Sequence, residues 1–317
     1  MPPTTEAIRR YRRFAWTIVA FTVVVILSGD LVQATESGAG CGENWPRCNG
    51  SLIPAIGDMH TAVEFTHRVV TTVLSISFIV MVVAARRLFG HGHLVWCTAL
   101  WATGFLILEI FLGAALVLFG WVEDDASWGR VIVDGFHVIN TFMLVGAVAL
   151  VAHFAGGHPG FRVKPAARRD RYLLATIAIF ILIAVSGTLN SLADTLYFTE
   201  AVNVDETPIA ALLVSIRAIH PAIAIGGGAV IFYLVHLAAT QATGTTEKLA
   251  LAIQGVIALQ FLVGILNIVL LTPLETQIIH LTLADALWLL ILIFSAHTLA
   301  TLTPDEPRAI EEIAPAC

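Results

Sequence analysis

The chain has 317 residues, 57% of them hydrophobic and 13% charged, and a formal net charge of −6. That is too few charges to cover a water-soluble domain, which carries about 25%, whereas apolar runs of the roughly 20 residues a bilayer span needs recur along the chain. Four cysteines are too few for a disulfide scaffold, and no CxxCH is present, which argues against covalently attached c-type haem.

Apolar runs bounded by polar turns predict an all-α membrane protein of eight transmembrane helices, at about 14–34, 60–85, 94–120, 132–154, 171–190, 208–238, 248–271 and 276–300. The segment before the first run is too short for an organelle transit peptide. Its basic cluster Arg9, Arg10, Arg12 and Arg13 mimics a signal peptide, but the first run has a counterpart later in the chain and is read as a retained span. The tail from Thr301, rich in Pro and Glu, is expected to be disordered.

Lys and Arg set the orientation. One side collects Arg9, Arg10, Arg12, Arg13, Arg86, Arg87, Arg162, Lys164, Arg168, Arg169, Arg171, Lys248 and Arg308, and the other only Arg47, Arg68, Arg130 and Arg217, which places both termini in the cytoplasm. Acidic residues gather outside: Glu36, Glu43, Glu123, Asp124, Asp125, Asp194, Glu200, Asp205 and Glu206. Cys41 and Cys48 fall in the first exterior loop, where a disulfide is permitted, either as a loop staple or as a redox pair. Cys97 and Cys317 fall on the cytoplasmic side.

Spans one to four resemble spans five to eight. Ser28-Gly29 pairs with Ser186-Gly187, His67 with His220, the segment around Gly113 with that around Gly264, and His137 and His153 with His280 and His297. Four spans per half make this a parallel repeat, two pseudo-symmetric four-helix bundles covering 1–160 and 161–301, with 302–317 as a cytoplasmic tail. His67, His137, His220 and His280 each lie in the first turns of an even-numbered span, at one depth near the exterior. Imidazoles from two helices of a bundle can ligate one haem iron, so His67 with His137 and His220 with His280 form two candidate sites. Histidines hydrogen-bonding between helices are the plainer alternative. His60, His153, His236 and His297 lie at span ends and are assigned to the interface. Gly146, Ala147, Gly226, Gly227 and Gly228 allow a flat ring or a helix to come close. Arg68 and Arg217 are candidate partners for haem propionates.

The halves differ in charge. Glu64 and His67 share a helix face at i,i+3, whereas span six carries Arg217 in the place of Glu64. A carboxylate there can accept a proton or stabilise a developing cation, or it can simply pair with Arg68. Glu109 in span three matches Gln260 in span seven, and Asp285 lies inside span eight. Both acids have either a structural role or a place on a proton path.

The exterior Cys41-Gly-Glu-Asn-Trp45-Pro46-Arg-Cys48-Asn-Gly50, followed by Glu64-Phe-Thr-His67-Arg68 and one early histidine in each of spans four, six and eight, resembles the haem A synthase family over nearly the whole chain. The resemblance implies oxidation of the C8 methyl of haem O to a formyl group. It also implies haem b as cofactor at His220 and His280, substrate haem O at His67 and His137, Glu64 as the essential carboxylate and a Cys41–Cys48 disulfide. It further implies a bacterial inner-membrane location and work alongside haem O synthase and oxidase assembly factors. A homo-oligomer is compatible with the pattern, and nothing points to nucleic acid. Residues 188–207 lack the second cysteine pair that some members carry, and His220 is followed by Pro221 where His67 is followed by Arg68. The rival readings are a di-haem b-type electron-transfer protein and a transporter.

Overall fold

The computed structural model describes residues 4–161, 163–198 and 207–300. Expectations about Arg162, Glu200, Asp205, Glu206, Arg308, Cys317 and the tail fall outside these residues. Among the described residues the protein is all-helical: α1 (Thr5–Ala34), α2 (Met59–Phe89), α3 (Leu94–Leu118), α4 (Trp128–Ala155), α5 (Arg168–Phe198), α6 (Pro208–Ile216), α7 (Ile219–Ala238), α8 (Thr245–Val269) and α9 (Leu274–Ala300). All but α6 are long and apolar enough to cross a bilayer.

Helix starts follow local chemistry. Thr4, Asp58 and Ser127 each accept a hydrogen bond from a backbone N–H of the following turn. At Asp58, the N–H and hydroxyl of Thr61 hold the carboxyl below its ordinary range. The predicted single span at 208–238 is interrupted at Arg217 and Ala218. Pro221 explains this: it has no N–H to return to the Arg217 carbonyl four residues back, and its ring crowds that carbonyl. The short α6 packs Ala210 and Leu213 on Leu192, Ala193 and Leu196 of α5, which runs past its predicted end.

Helices α1 to α4 pack in sequence with α1 closing on α4, α5 packs on α6 and α7, α7 on α8 and α8 on α9, and these two groups meet through α1, α4, α5 and α9. The seam is aromatic: Phe142 of α4, Phe180 of α5 and Trp288 of α9 have centroids 5.1–5.8 Å apart. The Trp288 indole N–H donates to the Phe142 carbonyl at 2.6 Å, so this large buried ring leaves no orphan donor. Gly146 belongs to this seam, because a Cβ there would lie 2.3 Å from Leu292 and 3.0 Å from the Trp288 indole nitrogen. Gly227 meets Ile179 and Ile183, and Gly228 meets Phe261. Of the two approaches these glycines allow, the one seen here is that of neighbouring side chains across helix contacts. Ile76, Ile79, Val80 and Val83 of α2 face outward, as lipid-exposed positions do.

Candidate haem-binding sites

The first site is organised by hydroxyl chemistry. Ser28 of α1 donates its single hydrogen to the Val25 carbonyl at 2.7 Å, while its oxygen lies 2.8 Å from Nδ1 of His67. With that hydrogen spent, the oxygen can only accept, so Nδ1 carries the proton and the Nε2 lone pair is left for a ligand. The second half repeats the device: Ser186 donates to the Ile183 carbonyl at 2.8 Å and stands 2.9 Å from Nδ1 of His220. The adjoining glycines bring the rings in. A Cβ at Gly29 would sit 3.2 Å from Cε1 of His67, and one at Gly187 would sit 3.1 Å from Cε1 of His220.

The second histidine of each pair also has a matched partner. Glu109 Oε1 lies 3.0 Å from Nδ1 of His137, outside hydrogen-bond alignment, and takes the Thr141 hydroxyl, while Glu109 Oε2 accepts from Asn140 at 2.5 Å. In the second half the Gln260 amide donates to the His280 carbonyl at 3.1 Å and lies 3.2 Å from His280 Nε2, leaving Nδ1 without a hydrogen-bond partner among the described residues. A Cβ at Gly264 would meet the His280 ring at 3.3 Å, while one at Gly113 would reach Nε2 of His137 only at 4.0 Å. His67 and His137 lie within range of each other's charge, as do His220 and His280, and all four rings are half-buried.

This donor set fits haem. Two imidazoles per half lie within range of each other's charge, and one in each half has Nδ1 held by a serine oxygen, the second contact that orients metal-bound histidines. Ligation by Nε2 of His280 requires that ring to leave Gln260.

Glu64 is 3% exposed and is held from above. Its Oε2 accepts the Cys41 backbone N–H at 2.6 Å, and its Oε1 takes Arg68 through Nε at 3.1 Å and through Nη2. Arg68 Nη1 donates to the carbonyls of Asn44 at 2.7 Å and Arg47 at 2.9 Å. Glu64 and Arg68 thus anchor the exterior loop, which the Cys41–Cys48 disulfide closes. Four contacts leave Arg68 a single guanidinium N–H for a propionate. Thr61 adds a bond to the Gly40 carbonyl at 2.7 Å, and His60 lies 3.2 Å from the Ser37 hydroxyl, so His60 also serves the loop. Glu123 ties in the next loop by accepting from the Ala39 N–H. Arg217, at the α6–α7 break, stacks over Tyr197 at 4.2 Å and lies 3.9 Å from Asp194.

Sequence reasoning matched Ser28 to Ser186 and Glu109 to Gln260 without seeing that each touches a histidine. It passed over Asp30 of α1, which lies within electrostatic range of Asp285 at the seam. Asp285 is 1% exposed, with neither oxygen hydrogen-bonded among the described residues.

Against known proteins, the chain is 35% identical over 300 residues to a Thermus thermophilus protein named protoheme IX farnesyltransferase, covering 93% of this chain and 49% of that one. It is 46% identical over 112 residues to a heme A synthase of Lysinibacillus sphaericus, covering 34% and 36%, and 39% identical over 98 residues to one from Halalkalibacterium halodurans, covering 31% and 33%. The chain thus spans about half the length, or less, of the curated relatives it matches. The family model for COX15-CtaA, described as cytochrome oxidase assembly protein, matches residues 12–292. The chain belongs to this cytochrome oxidase assembly family.

Proposed function

We propose that the protein is a haem A synthase, which takes haem O in its first half and oxidises the C8 methyl to a formyl group, with haem b held in the second half. The observation that carries this is a repeated frame with unequal charge. Both halves hold a Ser–His pair and a second histidine, but the first sets Glu64 and Glu109 around its pair where the second sets Arg217 and Gln260. Converting a methyl group and one water to a formyl group releases four protons, and four electrons to an external acceptor, so carboxylates belong where the chemistry is and not where a cofactor is only held.

His220 and His280 would hold haem b, which would supply a route for electrons. Ser28 fixes the ring of His67, and Ser186 that of His220. Glu109, beside Nδ1 of His137, is placed to receive a proton. Glu64 ties the disulfide loop to α2, with its carboxylate one helical turn from His67. Propionate pairing falls mainly to Arg217, which is 38% exposed at its side chain, with Arg68 contributing its remaining N–H.

We place the protein in the bacterial inner membrane with both termini cytoplasmic, because the basic residues Arg12, Arg86 and Arg87 lie at the end opposite the disulfide loop. Support for a haem O synthase partner comes from the Thermus thermophilus relatives, which bear a farnesyltransferase name and are about twice the matched length. A direct contact with oxidase assembly factors is part of the same proposal, supported by the family description.

Co-expression with a haem O synthase, followed by chromatography of extracted haems, tests the activity; haem A is expected. Haem b alone would favour the second reading, a di-haem electron-transfer protein, which the commitment of Glu64 to Arg68 and to the Cys41 N–H also suits.

A further inference from the structure

At the end of the bundle opposite the disulfide loop, three histidines meet. His153 is in the last turn of α4, His158 in the connection to α5, and His297 in the last turn of α9. The rings of His153 and His158 stack at 4.1 Å, and the His297 ring lies 5.1 and 5.0 Å from them, edge-on. One ligating nitrogen from each lies within 4.8 Å of the other two. His153 is 4% exposed, and its Nε2 has no hydrogen-bond partner among the described residues. A buried polar nitrogen in that state marks a missing partner.

We propose that His153, His158 and His297 form a binding site for a divalent transition-metal cation of the zinc class, separate from the two haem sites and placed on the seam between the halves. Imidazole is the nitrogen ligand zinc prefers, at bonds of about 2.0–2.1 Å, which puts the nitrogens of a tetrahedral site roughly 3.3 Å apart. From 4.8 Å, side-chain rotations that bring each nitrogen inward by about 1 Å suffice. Three protein ligands leave a coordination position for water.

The connectivity gives the site a purpose. One ligand comes from α4, one from the turn that follows it and one from α9 of the second half, so a bound cation ties the halves together where the Trp288 seam ends. His153 and His297 are the pair that the internal repeat aligns, and here their rings are in contact.

Arg12 lies beside this cluster, its guanidinium 3.1 Å from where a Gly156 Cβ would be. It opposes a cation and would favour an anion such as phosphate. Being exposed, it is screened by solvent and salt. It also separates the two kinds of ligand: Arg12→Ala tightens a metal and weakens an anion.

The test uses tag-free, haem-loaded protein in detergent, stripped with a chelator and titrated with zinc against a chromophoric competitor. Wild type should take up one equivalent. His158→Ala, in a turn outside the helices, should lower affinity by about a hundredfold while keeping the wild-type haem spectrum, and Arg12→Ala should raise it several-fold. Zinc-edge X-ray absorption on the wild type, which does not depend on any variant folding, should show imidazole nitrogens in the first shell. No stoichiometric uptake, equal uptake by His158→Ala, weakening by Arg12→Ala, or a shell without imidazole would each overturn the proposal.

Discussion

Replacing Glu64 by Ala removes the acceptor of the Cys41 N–H and the partner of Arg68 in one step. Deleting one member of a buried ion pair costs about 3–5 kcal/mol, because the other charge is stranded. Arg68 keeps 14% of its side chain exposed and still has two carbonyl partners, so the lower end, about 3 kcal/mol, applies. At 1.4 kcal/mol per decade, the open population of the loop rises about a hundredfold. The disulfide limits how far the loop can open but does not replace these contacts. Hydrogen exchange followed by mass spectrometry on protein in nanodiscs should show peptides spanning 39–50 losing about two decades of protection in Glu64→Ala. Glu64→Gln, which retains an acceptor oxygen, should lose about one decade. Unchanged protection in Glu64→Ala would refute the idea that this carboxylate anchors the loop.

Ser186→Ala frees Nδ1 of His220, and loss of such an orienting contact should weaken haem retention about tenfold, read as the rate of haem transfer to apomyoglobin. Gly187→Ala sets a methyl 3.1 Å from the His220 ring and should weaken retention at least as much, whereas Gly226→Ala, with nothing within 4 Å, should leave it unchanged. Glu109→Gln gives the first half the amide found in the second. It should keep haem b at the wild-type level and lower haem A formation by about 10²–10⁴-fold, measured by haem chromatography.

The spans were legible because an uninterrupted apolar run of bilayer length is rarely stable anywhere but in a bilayer. The placement of the four histidines on α2, α4, α7 and α9 was legible for the same reason, since histidine within a span stands out against its apolar neighbours. The break before α7 was missed because 208–238 is mainly apolar, interrupted chiefly by Arg217 and His220, although Pro221 pointed to it. The partners of the histidines were hidden for another reason. Ser28 of α1 meets His67 of α2, and Glu109 of α3 meets His137 of α4, across helices whose relative rotation is set by tertiary packing. The repeat aligned Ser28 with Ser186 and Glu109 with Gln260, yet no spacing along one helix reveals which face meets another. The meeting of His153, His158 and His297 depends in the same way on where the ends of α4 and α9 come to rest.

The most direct measurement is the oxidised low-spin haem signal, by electron paramagnetic resonance, of purified protein carrying His220→Ala, His280→Ala or His236→Ala. Paired imidazoles in the second half predict that the first two substitutions each abolish the bis-histidine haem b signal and that His236→Ala leaves it intact. Retention of that signal in His220→Ala or His280→Ala would contradict the assignment of this pair as the haem b ligands.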